Sequence, residues 1–101
     1  MRYLAFDMGP RGVRVNAISA GPLKTLAGSG ANVGRMLKLY EHMAPLGRNI
    51  THDEVGRTGA FLLSPASAGI TAEILHIDGG YNAMGSPGRL LDAVEKAQAG
   101  S

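Results

Sequence analysis

The most chemically suggestive stretch of the chain is Asn16-Ala17-Ile18-Ser19-Ala20-Gly21-Pro22-Leu23-Lys24-Thr25-Leu26-Ala27. It follows a run with strand periodicity, so it falls where a parallel strand would end. Ligands of open α/β sheets bind at that edge. Gly21 has no Cβ, so the backbone there can come close to a flat ring. Pro22 fixes the turn that follows. The amide N–H and C=O of Leu23 can then pair with a carboxamide, and the Thr25 hydroxyl can donate to a phosphate oxygen. An ordinary strand-to-loop exit would show the same residues, so physics alone leaves both readings standing.

Other candidate chemistry is weaker. Gly28-Ser29-Gly30-Ala31-Asn32-Val33-Gly34 superficially matches a dinucleotide fingerprint. The preceding strand ends near Ser19, too far upstream for a tight strand-to-helix turn, so the glycines read as a loop hinge. His42, His52 and His76 lie in separate segments without metal-ligand spacing and read as surface residues, so no metal site is expected. Ser19 and Ser29 have no positioned base. Asp78 precedes Gly79-Gly80 and reads as a strand-end turn residue rather than an acid catalyst. The absence of cysteine excludes disulfides and thiolate chemistry, and fits a reducing compartment.

The elements that must position these residues follow from periodicity. Residues 1–8 read as the last turns of a helix, with Leu4 and Met8 on one face and Gly9-Pro10 as the stop. A helix that short is marginal alone, so the chain is expected to begin where a helix is already running. Residues 13–19 alternate as a strand, ended by Ala20-Gly21-Pro22. Residues 33–43 have helical spacing, with Val33, Met36, Leu37 and Tyr40 on one face and Pro45 and Gly47 closing the segment. Thr51 and Glu54 have capping-box spacing ahead of Val55, Gly59 and Leu62, and Ser64-Pro65 ends that helix. Gly56 and Gly59 cost helix propensity and are expected to allow close packing on a sheet. Residues 73–78 read as a second strand, stopped by Gly79-Gly80. Ser86-Pro87 is expected to cap a last helix with Leu90, Leu91 and Val94 inward, and Ala97–Ser101 to fray.

Strands separated by helices imply parallel pairing with a right-handed crossover. A parallel sheet needs cover on both faces, which two strands cannot arrange unaided. The expected fold class is therefore α/β: the C-terminal part of a doubly wound parallel-sheet, Rossmann-like domain, with two parallel strands and flanking helices. It spans residues 1–82, with a tail over 83–101 that can be helical, and the remaining strands are expected before Met1.

Composition agrees. A length of 101 residues bounds the chain to one domain. Charged residues make up 18%, where roughly 25% is usual, and this fits a piece that packs against more protein. The net charge of +2 comes without a basic cluster, so no nucleic acid partner is expected. No apolar run approaches the ~20 residues that span a bilayer, and the N-terminus lacks a signal-peptide pattern. A cytoplasmic protein without a membrane partner is expected.

The chain resembles the NADH-dependent enoyl-acyl carrier protein reductases, a branch of the short-chain dehydrogenase family. The resemblance runs from Arg2-Tyr3-Leu4-Ala5 through Gly12-Val13-Arg14-Val15-Asn16-Ala17-Ile18-Ser19-Ala20-Gly21-Pro22 to Thr25-Leu26-Ala27 and Ser29-Gly30. It continues in Ala44-Pro45-Leu46, Val55-Gly56, Phe61-Leu62-Leu63-Ser64, Gly69-Ile70-Thr71 and Asp78-Gly79-Gly80-Tyr81. Ser-Ala-Gly-Pro followed by Thr-Leu-Ala is specific to this branch. The resemblance implies reduction of a trans-2-enoyl thioester on acyl carrier protein by NADH, in fatty acid synthesis, by a homotetramer.

Carried over by position, Gly21, Pro22, Leu23, Lys24, Thr25, Leu26 and Ala27 would line the nicotinamide and pyrophosphate, with the Leu23 backbone on the carboxamide. The segment from Gly28 to about Tyr40 would close over the acyl chain, with Ala31, Arg35 and Met36 as substrate residues and Arg35 facing the acidic carrier protein. The family pairs a proton-donating Tyr with a Lys a few residues on. Four residues after Tyr3, Tyr40 and Tyr81 stand Asp7, Ala44 and Gly85; seven after them stand Pro10, Gly47 and Gly88. No catalytic pair is present, and the isolated chain is expected to be inactive and poorly folded.

The glycine-rich loop, the catalytic Tyr and the Lys of the family are expected upstream of Met1, and the other departures are local. Ala31 replaces a larger apolar residue, Asn32 a basic one, and the substrate segment is about one residue short. Ala72 stands in place of a usual glycine; if that position needs a positive φ, alanine costs about 1 kcal/mol there. Two other readings compete: a non-catalytic binding or oligomerisation piece, and part of another short-chain dehydrogenase such as a ketoacyl reductase. The Thr-Leu-Ala continuation and the helical segment at 33–43 argue against the latter.

Overall fold

The computed structural model describes residues 1–23 and 31–100. In chain order they form α1 (Arg2–Met8), β1 (Ala17–Ala20), α2 (Ala31–Met43), α3 (His52–Leu63), β2 (Ile74–Ile77) and α4 (Leu90–Ala99). β1 and β2 pair in parallel, with Ala17 opposite Ile74 and Ala20 opposite Ile77. Helices lie between and around the two strands, so the α/β class and the parallel pairing stand as expected.

Both strands are shorter than their apolar runs. The ladder starts only at Ala17, whose N–H donates to Glu73 O at 2.9 Å. Ahead of it, Val15 N donates to the Thr71 hydroxyl at 3.1 Å instead of to a backbone carbonyl. The cause is Ala72, which has φ 60 and turns the backbone out of the strand direction. At the other end Asp78 leaves the ladder. Its carboxylate accepts from Gly80 N at 3.0 Å and from Asn82 N at 3.1 Å, and this turn replaces strand pairing.

The helix ends also differ in detail. The first α-helix ends at Met8 with Gly9 as its C-cap, as Gly9-Pro10 implies. Gly9 stays right-handed, and Pro10 enters a 3-10 turn (Gly9–Arg11), where the N–H that proline lacks is not needed. That turn ends at Gly12, at φ 76. Ala5 rather than Leu4 is the buried residue of α1. α2 starts at Ala31, two residues earlier than its spacing suggests; Val33, Leu37 and Tyr40 are half-buried and Met36 is exposed.

α3 has the expected capping box. Thr51 Oγ1 accepts from Glu54 N at 3.1 Å, and Glu54 Oε1 accepts from Thr51 N at 2.9 Å. A Cβ at Gly59 would meet Ile18 at 3.8 Å, an ordinary contact, and one at Gly56 would meet none of the described atoms. Neither glycine is demanded by packing within the described residues, contrary to expectation.

The tail departs most. α4 takes Arg89 as its N-cap, without a side-chain bond, while Ser86 Oγ accepts only from Gly88 N at 3.4 Å. Leu91 and Val94 are exposed rather than inward. Residues 97–99 belong to the helix rather than to a frayed end. A single helix with few neighbours cannot bury both sides of an apolar stripe, so Leu90 and Ala93 take the half-buried positions.

The core is thin. Among the described residues only Ala5, Ala44, Ile50, Leu62 and Ser67 are buried. The radius of gyration is 17.4 Å, where about 13 Å is usual for a compact domain of 100 residues. Ile18 and Ile74 remain exposed although they lie on the strands. Among the described residues this parallel sheet has little of the cover that such sheets require.

Candidate functional site

The candidate site lies past the carboxyl ends of β1 and β2. Gly21 extends the pairing by one step, donating its N–H to Ile77 O at 2.9 Å. A Cβ on Gly21 would stand 3.4 Å from Asp78 Cα and Cβ, and 3.9 Å from Ile50 Cγ1. These are ordinary contacts, so the neighbouring strand end leaves room for a side chain there. Gly21, Pro22 and Leu23 are half-buried there. Lys24, Thr25, Leu26 and Ala27, like Gly28–Gly30, lie outside the described residues, as does the side chain of Ala31. Arg35 and Met36 sit on α2 and both are exposed.

The Asp78-Gly79-Gly80 turn builds the opposite wall. Gly79 and Gly80 have φ 67 and 93, conformations that favour glycine. A Cβ on Gly80 would come within 2.8 Å of Pro45 Cγ, and one on Gly79 within 3.2 Å of Arg48 O. Leu46 N donates to Gly79 O at 3.0 Å, which holds the loop after α2 against this turn. An open groove of about 560 Å³ runs beside it, lined by Pro45, Leu46, Ile50, His76, Asp78 and Gly80 among others.

Two charge features bear on chemistry. The Tyr40 ring stacks on Tyr81 with centroids 4.1 Å apart. Burial raises the Tyr40 pKa above that of an ordinary tyrosine, and the neighbouring Tyr81 and Asp78 push it the same way. A tyrosine that gives up a proton readily needs the opposite shift, so Tyr40 is a packing residue. Glu54 is held down to about 2, first by its hydrogen bonds from Arg48, at 2.8 Å on each oxygen, and then by the Thr51 backbone. That pair lies largely at the surface and belongs to the α3 cap, with Glu54 also on the wall of the groove.

Two positioning residues escaped the sequence analysis. Arg14 Nη1 donates to Ile70 O at 3.0 Å, and its Nη2 to Leu62 O at 2.8 Å and Ser64 O at 3.3 Å. Asn16 Nδ2 donates to Ile70 O at 3.0 Å, while its Oδ1 accepts from Glu73 N at 3.1 Å. Together they lash the entry of β1 to the end of α3 and the start of β2. The alternation Val13-Arg14-Val15-Asn16 marks them only as polar strand partners, which normally face solvent.

Among the described residues no cluster of His, Cys, Asp and Glu could hold a metal ion, and no helix is long and apolar enough to cross a membrane.

Parallel strands joined through helices, with a glycine that extends the pairing after one strand and a left-handed glycine pair after the other, define part of a Rossmann-like, doubly wound α/β domain. A family model described as Enoyl-(Acyl carrier protein) reductase matches residues 1–82. The chain belongs to the enoyl-(acyl carrier protein) reductase family. It is 54% identical over 86 residues to enoyl-[acyl-carrier-protein] reductase [NADH] 1 of Rhizobium meliloti, covering 84% of this chain and 32% of that protein. The corresponding reductase 2 of that organism is 48% identical over 100 residues, covering 98% of this chain and 37% of its own length. A Bacillus cereus enoyl-acyl carrier protein reductase crystallised with NADP+ and indole naphthyridinone superimposes with a TM-score of 0.79. It is 45% identical, covering 84% of this chain and 34% of that one. The chain thus spans about a third of the length of these relatives.

Proposed function

We propose that this chain is a portion of a reductase that converts trans-2-enoyl-acyl carrier protein to acyl-acyl carrier protein with NADH. The observation that carries the reading is the family match over residues 1–82, with Gly21-Pro22-Leu23 standing at the carboxyl end of β1. In this reading residues 1–82 form the reductase part and residues 83–101 a tail. The assembled enzyme is a cytoplasmic homotetramer, as the resemblance implies.

The donor set fits a nicotinamide. The chain has no Cβ at Gly21, and the half-buried Leu23 follows it at a sheet edge where such rings bind. The cofactor, when bound, supplies the hydride. Leu23 would orient the carboxamide through its backbone. Lys24, Thr25, Leu26 and Ala27 would line the nicotinamide and pyrophosphate, with the Thr25 hydroxyl on a phosphate oxygen. Ala31, Arg35 and Met36 would meet the acyl substrate, with Arg35 toward the acidic carrier protein. The proton-donating Tyr–Lys pair is not formed by Tyr3, Tyr40 or Tyr81, so the isolated chain does not turn over.

The test is a graft. This chain replaces the matching third of the Rhizobium meliloti reductase 1, and oxidation of NADH is followed with an enoyl thioester. Activity with NADH and none by the pure 101-residue chain is the expected result. A graft that reduces only a ketoacyl thioester, or that prefers NADPH, overturns the substrate or the cofactor assignment. A second reading, a non-catalytic piece that completes another subunit, has the exposed Tyr3, Phe6 and Leu63 in its favour. A compact monomer with cooperative unfolding would count against it.

A further inference from the structure

The end of α2 is gripped by the tail. Arg89 N donates to His42 O at 2.9 Å. Arg89 Nη1 lies 3.3 Å from both Ala44 O and Pro45 O. A helix leaves its last carbonyls without intrahelical partners; the Arg89 backbone N–H takes one of them, His42 O, while its guanidinium lies on the two carbonyls that follow the helix and brings a positive charge to the negative end of the helix dipole. Gly88 has φ 59, and a Cβ on it would stand 3.3 Å from His42 O and Met43 O. The tail backbone therefore passes against the helix end at a distance that a side chain would disturb.

Two further contacts hold the same half of α2. Asn49 Nδ2 donates to Leu37 O at 2.7 Å, and Tyr40 stacks on Tyr81. α4 packs against α2 as well. These anchors span positions 37 to 45, and Arg35 and Met36 stand on the adjoining turn. The Gly88-Arg89 corner lies beyond residue 82, where the family match ends.

We propose that the Gly88-Arg89 corner is a positioning element for α2, and that Arg89 sets where the acyl-binding turn bearing Arg35 and Met36 stands. Its role in substrate binding rests on the function proposed above; its role as an anchor does not.

Two measurements separate these. Hydrogen exchange on the grafted reductase follows peptides from α2 (residues 32–43) with α3 (residues 52–63) as internal reference. Arg89→Ala is expected to speed exchange in α2 on the order of fivefold while leaving α3 unchanged, and Arg89→Lys to restore part of the protection. Absence of protection in wild-type α2, an unchanged rate in Arg89→Ala, or equal loss in α2 and α3 each overturns the anchor. In the grafted reductase, Arg89→Ala is expected to raise KM for the enoyl thioester about fivefold, with kcat and KM for NADH unchanged. An active graft with unaltered thioester KM overturns the positioning role. A graft without enoyl reduction, beside a changed α2 exchange, sinks the proposed reaction and leaves the anchor standing.

Discussion

Ala72→Gly is expected to stabilise the chain. Ala72 is the non-glycine residue with a positive φ, 60, among the described residues. The left-handed conformation costs an L-residue roughly 1–2 kcal/mol through the clash of Cβ with the following carbonyl. Glycine removes that cost but leaves more freedom to be lost on folding, about 0.4–1 kcal/mol. The net gain is about 0.5–1 kcal/mol. The hydrogen bond from Ala72 N to Val15 O, 2.8 Å long, involves backbone alone and survives the change. For a chain of this size the gain corresponds to a midpoint about 2–8 °C higher. If the chain sits near its midpoint in water, the folded-to-unfolded ratio rises about two- to fivefold instead. Circular dichroism against temperature and urea reads either case. Gly12→Ala is the control. Gly12 has φ 76, and a Cβ there would meet none of the described atoms, so the same backbone cost enters with the opposite sign. An unchanged or lower midpoint for Ala72→Gly would refute the strain argument, as would a rise in both variants.

Arg14→Ala should lower stability by about 2 kcal/mol, since it strips a charged donor from three partly buried carbonyls; a loss below about 0.5 kcal/mol in urea unfolding would show that water replaces it freely. Gly80→Ala should cost about 2 kcal/mol or more, because a Cβ 2.8 Å from Pro45 adds a clash to an unfavourable φ, and near-wild-type unfolding would contradict it. Thr51→Ala should cost about 1 kcal/mol by removing the acceptor for Glu54 N, read as lost α3 protection in hydrogen exchange. The Glu54 carboxylate has its pKa depressed to about 2, so its support for α3 is present above the ordinary carboxylate pKa and is lost as pH falls toward 2. Acid titration by circular dichroism should show this loss in wild type and a flatter curve in Glu54→Gln; identical curves would remove the linkage.

Much of the fold is legible in residue order. Thr51-x-x-Glu54 announces the start of α3 because both partners of a capping box lie within one turn. Asp78-Gly79-Gly80 announces the end of β2 because the carboxylate and the two positive-φ residues act locally. The last helix was misjudged for the opposite reason. Whether Leu91 and Val94 turn inward depends on a neighbour, and α4 meets only part of α2. Gly9-Pro10 ends α1 as its sequence implies, and what the sequence did not show is that the same proline is accepted in the first turn of a 3-10 segment.

Of the candidate site, residue order alone set the residue types at the end of β1, the family pattern across residues 1–82, and that no Lys stands four or seven residues after a Tyr, since each is a matter of identity and spacing along one segment. Only packing decided that Gly21 pairs with Ile77, that Arg14 serves the end of α3 some fifty positions away, and that Arg89 reaches back to α2. Those are contacts between distant segments, and they form only once the chain packs.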